Sequence, residues 1–299
     1  MAKPYRLIEN AGGDHSARRR RVSVRLTAPP FNLLWAGELS LSFRVKLAQN
    51  GHVDLTTTIL IIAAMIGLAA CLYTMVGHGG ASAYLAIMAL AAVAPEVMRP
   101  TALALNLVAA GIATIRYVHA GQINWRLLAM FVIAAAPAAY IGGGIPIEPA
   151  LYRPLVGIVL ILAAVKLFWS PAQTAGKQIA PPKAWIALPV GAGLGLLAGL
   201  TGTGGGIFLS PLVILLGWAD ARKTSGIAAA FILINSAAGL AGNYNSIGSL
   251  PSELPLYAAM AAGGALIGSW LGARRLDKSR LLQGLGIVLL IAGAKLIFT

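Results

Sequence analysis

Two long stretches of this chain, residues 55–95 and 184–219, contain no Asp, Glu, Lys or Arg. A bilayer core is about 30 Å thick and a helix crosses it in roughly 20 apolar residues, so each stretch has room for two helices. Inside hydrocarbon every backbone N–H and C=O must find a partner within the protein. Helices are therefore what such stretches form, and irregular backbone survives only where it is buried in protein or lines a wet cavity. The remaining composition agrees, with 58% hydrophobic and 11% charged residues and a mean hydropathy of +0.78. A soluble domain of this length could not bury that much apolar surface.

The formal net charge of +14 does not call for nucleic acid. The basic residues sit in the N-terminal segment and in short connections between apolar runs, the distribution that orients membrane helices. No soluble domain is left to carry a basic face. The single cysteine, Cys71, excludes an internal disulfide and a multi-cysteine metal or iron–sulfur site.

Measured against the bilayer, the sequence predicts spans near residues 56–76, 81–94, 101–117, 127–145 and 154–169. Five more follow near 184–200, 207–218, 224–244, 254–271 and 281–298, and the second span of each set is short. Gly157-Ile158-Val159-Leu160, ending in Lys166-Leu167, recurs as Gly286-Ile287-Val288-Leu289, ending in Lys295-Leu296, at one constant offset. Gly77-His78-Gly79-Gly80 likewise corresponds to Gly202-Thr203-Gly204-Gly205. The expected organisation is a basic N-terminal extension (1–52), a first transmembrane repeat (53–170), a connecting loop (171–183) and a second repeat (184–299).

Charge orients the copies. If the connection bearing Arg116 and Arg126 is inside, so are Lys177, Lys183, Arg222, Lys223, Arg274, Arg275, Lys278 and Arg280. The outer connections keep Arg99 and Arg153 beside Glu96, Glu148 and Glu253. With an odd number of spans per copy, equivalent connections lie on opposite sides, which makes this an inverted repeat. The expected fold class is an all-α polytopic membrane protein with about 8–10 transmembrane segments, in two inverted repeats with glycine-rich breaks.

The N-terminus fits this scheme poorly, because it falls outside although it carries Arg18 to Arg21, Arg25, Arg44 and Lys46. Pro29-Pro30 and Glu38 spoil residues 26–43 as a further span or a signal h-region. A disordered tail or a start codon other than the one used accounts for the segment better than an interfacial helix does. The transport core is then expected to begin near Val53.

The glycine runs fall between the two helices of each charge-free stretch. If the turns are drawn into the membrane, the helix after each points its free N–H groups and positive dipole end at the interior, which makes an anion site. Elsewhere, at Gly142 to Gly144, Gly191 to Gly195, Gly263 and Gly264, glycine reads as a means of close helix packing. His78 stands where the second copy has Thr203 and is the only group in the charge-free stretches that titrates near neutral pH. It is a candidate to bind the anion or carry a coupling proton, or it is a neutral ring satisfied by a carbonyl.

Asn106 and Asn235, inside the third helices, line the site or bond across helices, with cross-helix bonding the favoured reading. Thr101, Thr224 and Ser225 near those helix starts read as caps or as site hydroxyls. Lys166 and Lys295 are expected to snorkel, and Trp125, Trp169, Trp185 and Trp218 to anchor span ends at the interface. There is no acidic pair, HExxH or GxSxG, and the glycine runs lack the Lys and Ser/Thr of a Walker A motif, so no enzyme, metal or cofactor is expected.

The segment GLTGTGGGIFLSPLVILLGWADARKTSGIAAAFI closely resembles the glycine-rich signature of the sulfite exporter TauE/SafE family of permeases. MVGHGGASAYLAIM, then RPTALALN and the basic connection IRYVHAGQINWR, is similar to the family's weaker first copy. That copy departs from the pattern: Ala81 replaces the last glycine, nothing matches Pro211, and Pro100-Thr101 stands where Thr-Ser would be. The resemblance implies an inner-membrane secondary carrier, in many members an exporter, for small sulfur-containing anions such as sulfite or organosulfonates. It also implies site residues Gly202, Gly204, Gly205, Gly206, Pro211, Thr224 and Ser225, with Gly77, Gly79, Gly80 and Thr101 by repeat position.

The expected mechanism has turn N–H groups of both repeats holding the anion while Thr203, Thr224 and Ser225 add hydroxyls. Protons are the candidate coupling ion, the bilayer is the other partner, and oligomeric state is left open. A passive anion channel or a non-transporting scaffold would use the same glycines for a pore or for packing alone.

Overall fold

The computed structural model describes residues 55–168, 179–273 and 279–298, so the N-terminal extension, Lys177 and the cluster from Arg274 to Lys278 lie outside the described residues. Ten helices carry the described chain. In the first half they are α1 (Leu55–Thr74), α2 (Ala81–Leu90), α3 (Pro95–His119), α4 (Trp125–Gly144) and α5 (Pro149–Phe168). The second half has α6 (Ala184–Thr201), α7 (Gly206–Leu215), α8 (Ala221–Gly242), α9 (Leu254–Ala273) and α10 (Ser279–Phe298). A 3-10 turn, Tyr244–Ser249, follows α8, and no strand occurs among the described residues.

Six of these helices are long and apolar enough to cross a membrane: α1, α3, α4, α6, α8 and α9. The stretches Ala81–Leu90, Pro149–Val165, Gly206–Leu215 and Leu289–Phe298 are apolar but shorter. At 1.5 Å per residue, the 10-residue α2 and α7 reach about 15 Å, half of a bilayer core.

The helices pair across the halves. The fourth helix of each half lies on the first of the other, α4 on α6 and α9 on α1, while α3 packs on α8 and α5 on α10. Glycine explains how they approach so closely. A Cβ at Gly191 would fall on the backbone of Phe131, one at Gly195 on Ala135 and one at Gly199 on Ala139. Both series rise together, so α4 and α6 run parallel with backbone against backbone. Gly264, Gly268 and Gly272 meet Gly67, Cys71 and Met75 in the same way, which makes α9 parallel to α1.

In the other pairs one number rises as its partner falls. Gly157 lies against Gly293 and Ile297, and Gly286 against Phe168; Gly239 lies against Leu103, and Gly111 against Leu233. Thus α5 is antiparallel to α10, and α3 to α8. In lipid no hydrophobic drive holds helices together, so van der Waals contact along such seams carries much of the association.

Several expectations are corrected. Gly193 and Gly263 have nothing within 4 Å of a built Cβ, so packing is not their role, unlike Gly191, Gly195 and Gly264. Trp218 is buried with its ring 5.8 Å from that of Phe131, and belongs to the core instead of an interface. Trp125 and Trp185 remain exposed, and Trp169 lies outside the described residues.

Helix α3 begins at Pro95, six residues ahead of the expected start at residue 101. Proline suits the first helical position because the N–H it lacks has no acceptor there. Pro100, inside the helix, strips the Glu96 carbonyl of its i→i−4 partner, and Ser249 Oγ, whose one hydrogen also has Ser246 O at 2.7 Å, stands 3.1 Å from that carbonyl. Arg99 is thereby drawn from the expected outer connection into the bundle, where it is 6% exposed. Arg153 also lies within a helix, α5.

Candidate functional site at the paired glycine turns

Each short helix starts from a left-handed glycine. Gly80 caps α2 with φ 105° and Gly205 caps α7 with φ 76°. Gly77, Gly202 and Gly204 also have positive φ, at 77°, 83° and 73°. A side chain at any of them would pay for that conformation, which accounts for glycine in the middle of apolar sequence.

The two turns close on one amide. A Cβ on Gly79 would strike Asn106 Oδ1, and one on Gly204 would come within 2.8 Å of Asn106 Nδ2; both would meet Ile232. Asn106 Oδ1 accepts from the N–H of Ala81, the first residue of α2, at 3.1 Å, and Nδ2 donates to Ser236 Oγ at 3.2 Å. The carboxamide is thus a buried wedge between the turns, fixed by α2 on one side and α8 on the other. The flanks interlock too: Gly77 lies on the backbone of Ser225, and Gly202 on that of Arg99. In space the counterpart of Ser225 is therefore Arg99 instead of Thr101.

His78 links the halves. Its Nδ1 is 3.0 Å from the Val76 carbonyl, which requires a proton on that nitrogen, so in the neutral ring Nε2 is left as an acceptor. Nε2 is 3.1 Å from Ser210 Oγ in α7, and that hydroxyl is also 3.2 Å from the Gly206 carbonyl. Ser210 has one hydrogen for the two acceptors. The Tyr73 ring stands edge-on to His78 at 6.3 Å, and its hydroxyl oxygen accepts from Ser82 Oγ at 2.8 Å.

The hydroxyls expected to donate to an anion are engaged. Thr201 Oγ1 gives its hydrogen to Leu197 O at 2.7 Å, so Thr203 Oγ1, 2.9 Å away, must donate to Thr201. Thr224 Oγ1 donates to Asp220 O at 2.7 Å and caps nothing; the cap of α8 is Asp220, which accepts from Lys223 N. Thr101 sits inside α3, not at its start, and its buried hydroxyl has no partner among the described residues. Asn235 is fully buried and neither amide atom has a partner among the described residues, so cross-helix bonding does not describe it.

Arg99 and Lys295 occupy the opposite helix ends. Arg99 Nε donates to Gly199 O at 2.9 Å and Nη1 to Ile145 O at 3.1 Å, while Nη2 donates to Gly142 O and Gly143 O. One guanidinium therefore closes the carboxyl ends of both α4 and α6, where the dipoles are negative. Lys295 Nζ donates to Ala89 O and Leu90 O at 3.0 and 3.1 Å, capping α2. The Lys166 side chain lies outside the described residues. Tyr152 and Tyr117 hydroxyls hold the last carbonyls of α6 and α1, Thr201 O at 3.0 Å and Thr74 O at 3.3 Å.

The amino ends of α2 and α7, by contrast, meet in the interior with backbone N–H groups. In α7 the first turn runs from Phe208 and Leu209 to Gly205 O, which leaves the N–H groups of Gly206 and Ile207 without a helical acceptor. Beside Arg99 lies a cavity of ≈ 180 Å³, lined by Glu96, Tyr152, Asn243 and Ser246 among others.

Sequence reading missed Ser210, Ser236 and the burial of Arg99. A signal existed for Ser210, a lone hydroxyl one helical turn after the last glycine.

The profile of the family described as Sulfite exporter TauE/SafE matches residues 60–296. The chain belongs to the TauE/SafE family. As a TauE/SafE protein it is a multi-pass membrane transporter. The chain is similar to the "Probable membrane transporter protein y4hK" of Sinorhizobium fredii (strain NBRC 101917 / NGR234). The two are 37% identical over 229 residues, which cover 76% of this chain and 93% of that one. No solved structure matches.

Proposed function

We propose that this transporter is a secondary carrier for a small anion, held by backbone N–H groups at the glycine turns that start the half-length helices. The observation that carries the reading is the division of charge. The amino ends of two half-length helices meet inside the protein, while Arg99 and Lys295 are committed to carboxyl ends. Backbone N–H groups at a helix amino end bind oxyanions without a buried cation beside them. The family description points to sulfite or a related sulfur-containing anion as cargo. We assign the inner membrane and the export direction on the same ground.

The halves are read as inverted repeats. Equivalent helices α3 and α8, and α5 and α10, run antiparallel, and each half lends its fourth helix to the first of the other. Rocking one half on the other then exposes a midplane site alternately. His78 is the proposed proton carrier, through Nε2.

Purified protein in liposomes, tested with sulfite, thiosulfate, taurine, sulfoacetate and acetate, decides the matter. Saturable flux with trans-stimulation is expected, abolished in Gly204→Leu. Flux without saturation would indicate a channel, and no flux of any anion would remove the transport reading.

A further inference from the structure

The offset that carries Gly157 onto Gly286 and Lys166 onto Lys295 also carries Asn106 onto Asn235. The two asparagines are equivalent in sequence and opposite in state. Asn106 spends Oδ1 on the N–H of Ala81 and Nδ2 on Ser236. Asn235 is 0% exposed, and neither Nδ2 nor Oδ1 has a partner among the described residues. A buried carboxamide with nothing to bond destabilises the fold, so its retention needs another reason.

Its position supplies one. Along α8 the residues sharing its face are Ala228, Phe231 and Gly239. The Ala228 carbonyl lies against Gly206, the Phe231 ring against Gly205, and Gly239 against Gly199. Asn235 falls between Phe231 and Gly239, and so faces the turn that joins Gly199 to Gly205. In that turn the hydroxyl hydrogen of Thr203 is already given to Thr201, and the N–H groups of Gly206 and Ile207 have no helical acceptor.

The first turn is closed by comparison. Tyr84 covers Gly80, where an added Cβ would meet its ring and hydroxyl at 2.7 Å, and its hydroxyl donates to Gly79 O at 2.8 Å. The leading N–H of α2 is taken by Asn106.

We infer that the anion site is built by the second half alone, with Asn235 as the side chain that orients the anion against the second glycine turn, and that the first turn is its structural counterweight. Nδ2 donates to an anion oxygen alongside the turn N–H groups. Oδ1 accepts, so the ligand that satisfies both atoms is an oxyanion that carries a donor of its own, a hydroxyl or ammonium hydrogen. The inference rests on the anion-carrier reading above and narrows it.

The test compares three proteins, the wild type, Asn235→Leu and Asn106→Leu, by unfolding temperature in detergent and by flux in liposomes. The paired probes are ethanesulfonate against 2-hydroxyethanesulfonate and acetate against glycolate. Leucine at residue 235 removes two unsatisfied atoms, so Asn235→Leu is expected to unfold no earlier than wild type. Its KM for 2-hydroxyethanesulfonate and glycolate should rise about tenfold, and the wild-type preference for the hydroxylated member of each pair should disappear. Asn106→Leu is expected to unfold earlier. Asn235→Asp, which puts a carboxylate beside the anion, raises KM further and serves if the leucine variant expresses poorly. An Asn235→Leu protein that unfolds as early as Asn106→Leu, or one with unchanged KM, overturns the inference while leaving the carrier reading intact. A wild type that moves none of the probes, nor any anion of the wider panel, overturns the carrier reading and this inference with it.

Discussion

Replacing Arg99 by methionine keeps the length of the side chain and removes its charge and donors. Four carbonyls lose their partner: Gly199 at the end of α6, Gly142 and Gly143 at the end of α4, and Ile145 just beyond it. A hydrogen bond from a charged donor is worth about 1.5–3 kcal/mol. A simple sum over these bonds overstates the loss, because the variant no longer buries a cation that has no carboxylate partner among the described residues. Breaking a buried charged contact while leaving its partner groups unpaired costs about 3–5 kcal/mol, and that is the expected destabilisation. Arg99→Lys keeps the charge but has neither the planar fork nor its reach to two helix ends, so about half of that loss is expected.

The assay is urea or thermal unfolding of the detergent-solubilised protein, with Arg116→Met as the reference. Arg116 is exposed near the end of α3 and should cost under about 0.5 kcal/mol. Amide exchange at Gly199 and Gly202 should quicken in Arg99→Met well before global unfolding. A variant as stable as the Arg116→Met reference, with unchanged exchange at the α6 end, would refute the claim that this guanidinium holds two helix ends together.

Three further outcomes follow from the geometry. Gly204→Ala forces a Cβ into a φ of 73° and against Asn106, Ile232 and Ser236, so a loss of about 2–4 kcal/mol and of flux is expected; normal flux would show that the turn is not held as described. Gly195→Leu places a side chain on the Ala135 backbone and should cost more than Gly193→Leu, which meets open space; equal unfolding midpoints would contradict the seam. His78→Gln should flatten the pH dependence of flux, because it removes the imidazole that stands between the Val76 carbonyl and Ser210; an unchanged profile removes His78 as the proton carrier.

Much of the helical layout was legible because it follows from local chemistry. Charge-free runs, their lengths and the glycine interruptions between them place α1 with α2 and α6 with α7 directly. What escaped depends on partners distant in sequence. The span expected to start near residue 101 starts at Pro95, and Ser249, distant in sequence, stands 3.1 Å from the Glu96 carbonyl that Pro100 leaves without its helical donor. Arg99 looked like a loop cation because its four acceptors sit on α4, α6 and the residue after α4. Thr203 was a reasonable anion donor from residue type alone; its hydrogen is lost to Thr201, whose own goes to Leu197. Asn106 and Asn235 look alike in sequence, and only tertiary contacts separate the satisfied amide from the unsatisfied one.

The α4–α6 seam has a mechanical consequence. Gly191, Gly195 and Gly199 meet Phe131, Ala135 and Ala139 at a repeat of four residues, a rise of about 6 Å. A surface with that periodicity presents the same backbone spacing to its partner again after one step along the axis. Pulling the helices apart forfeits every contact, whereas sliding exchanges one set for the next. The joint is a rail, and Arg99, gripping the ends of both helices, is its stop.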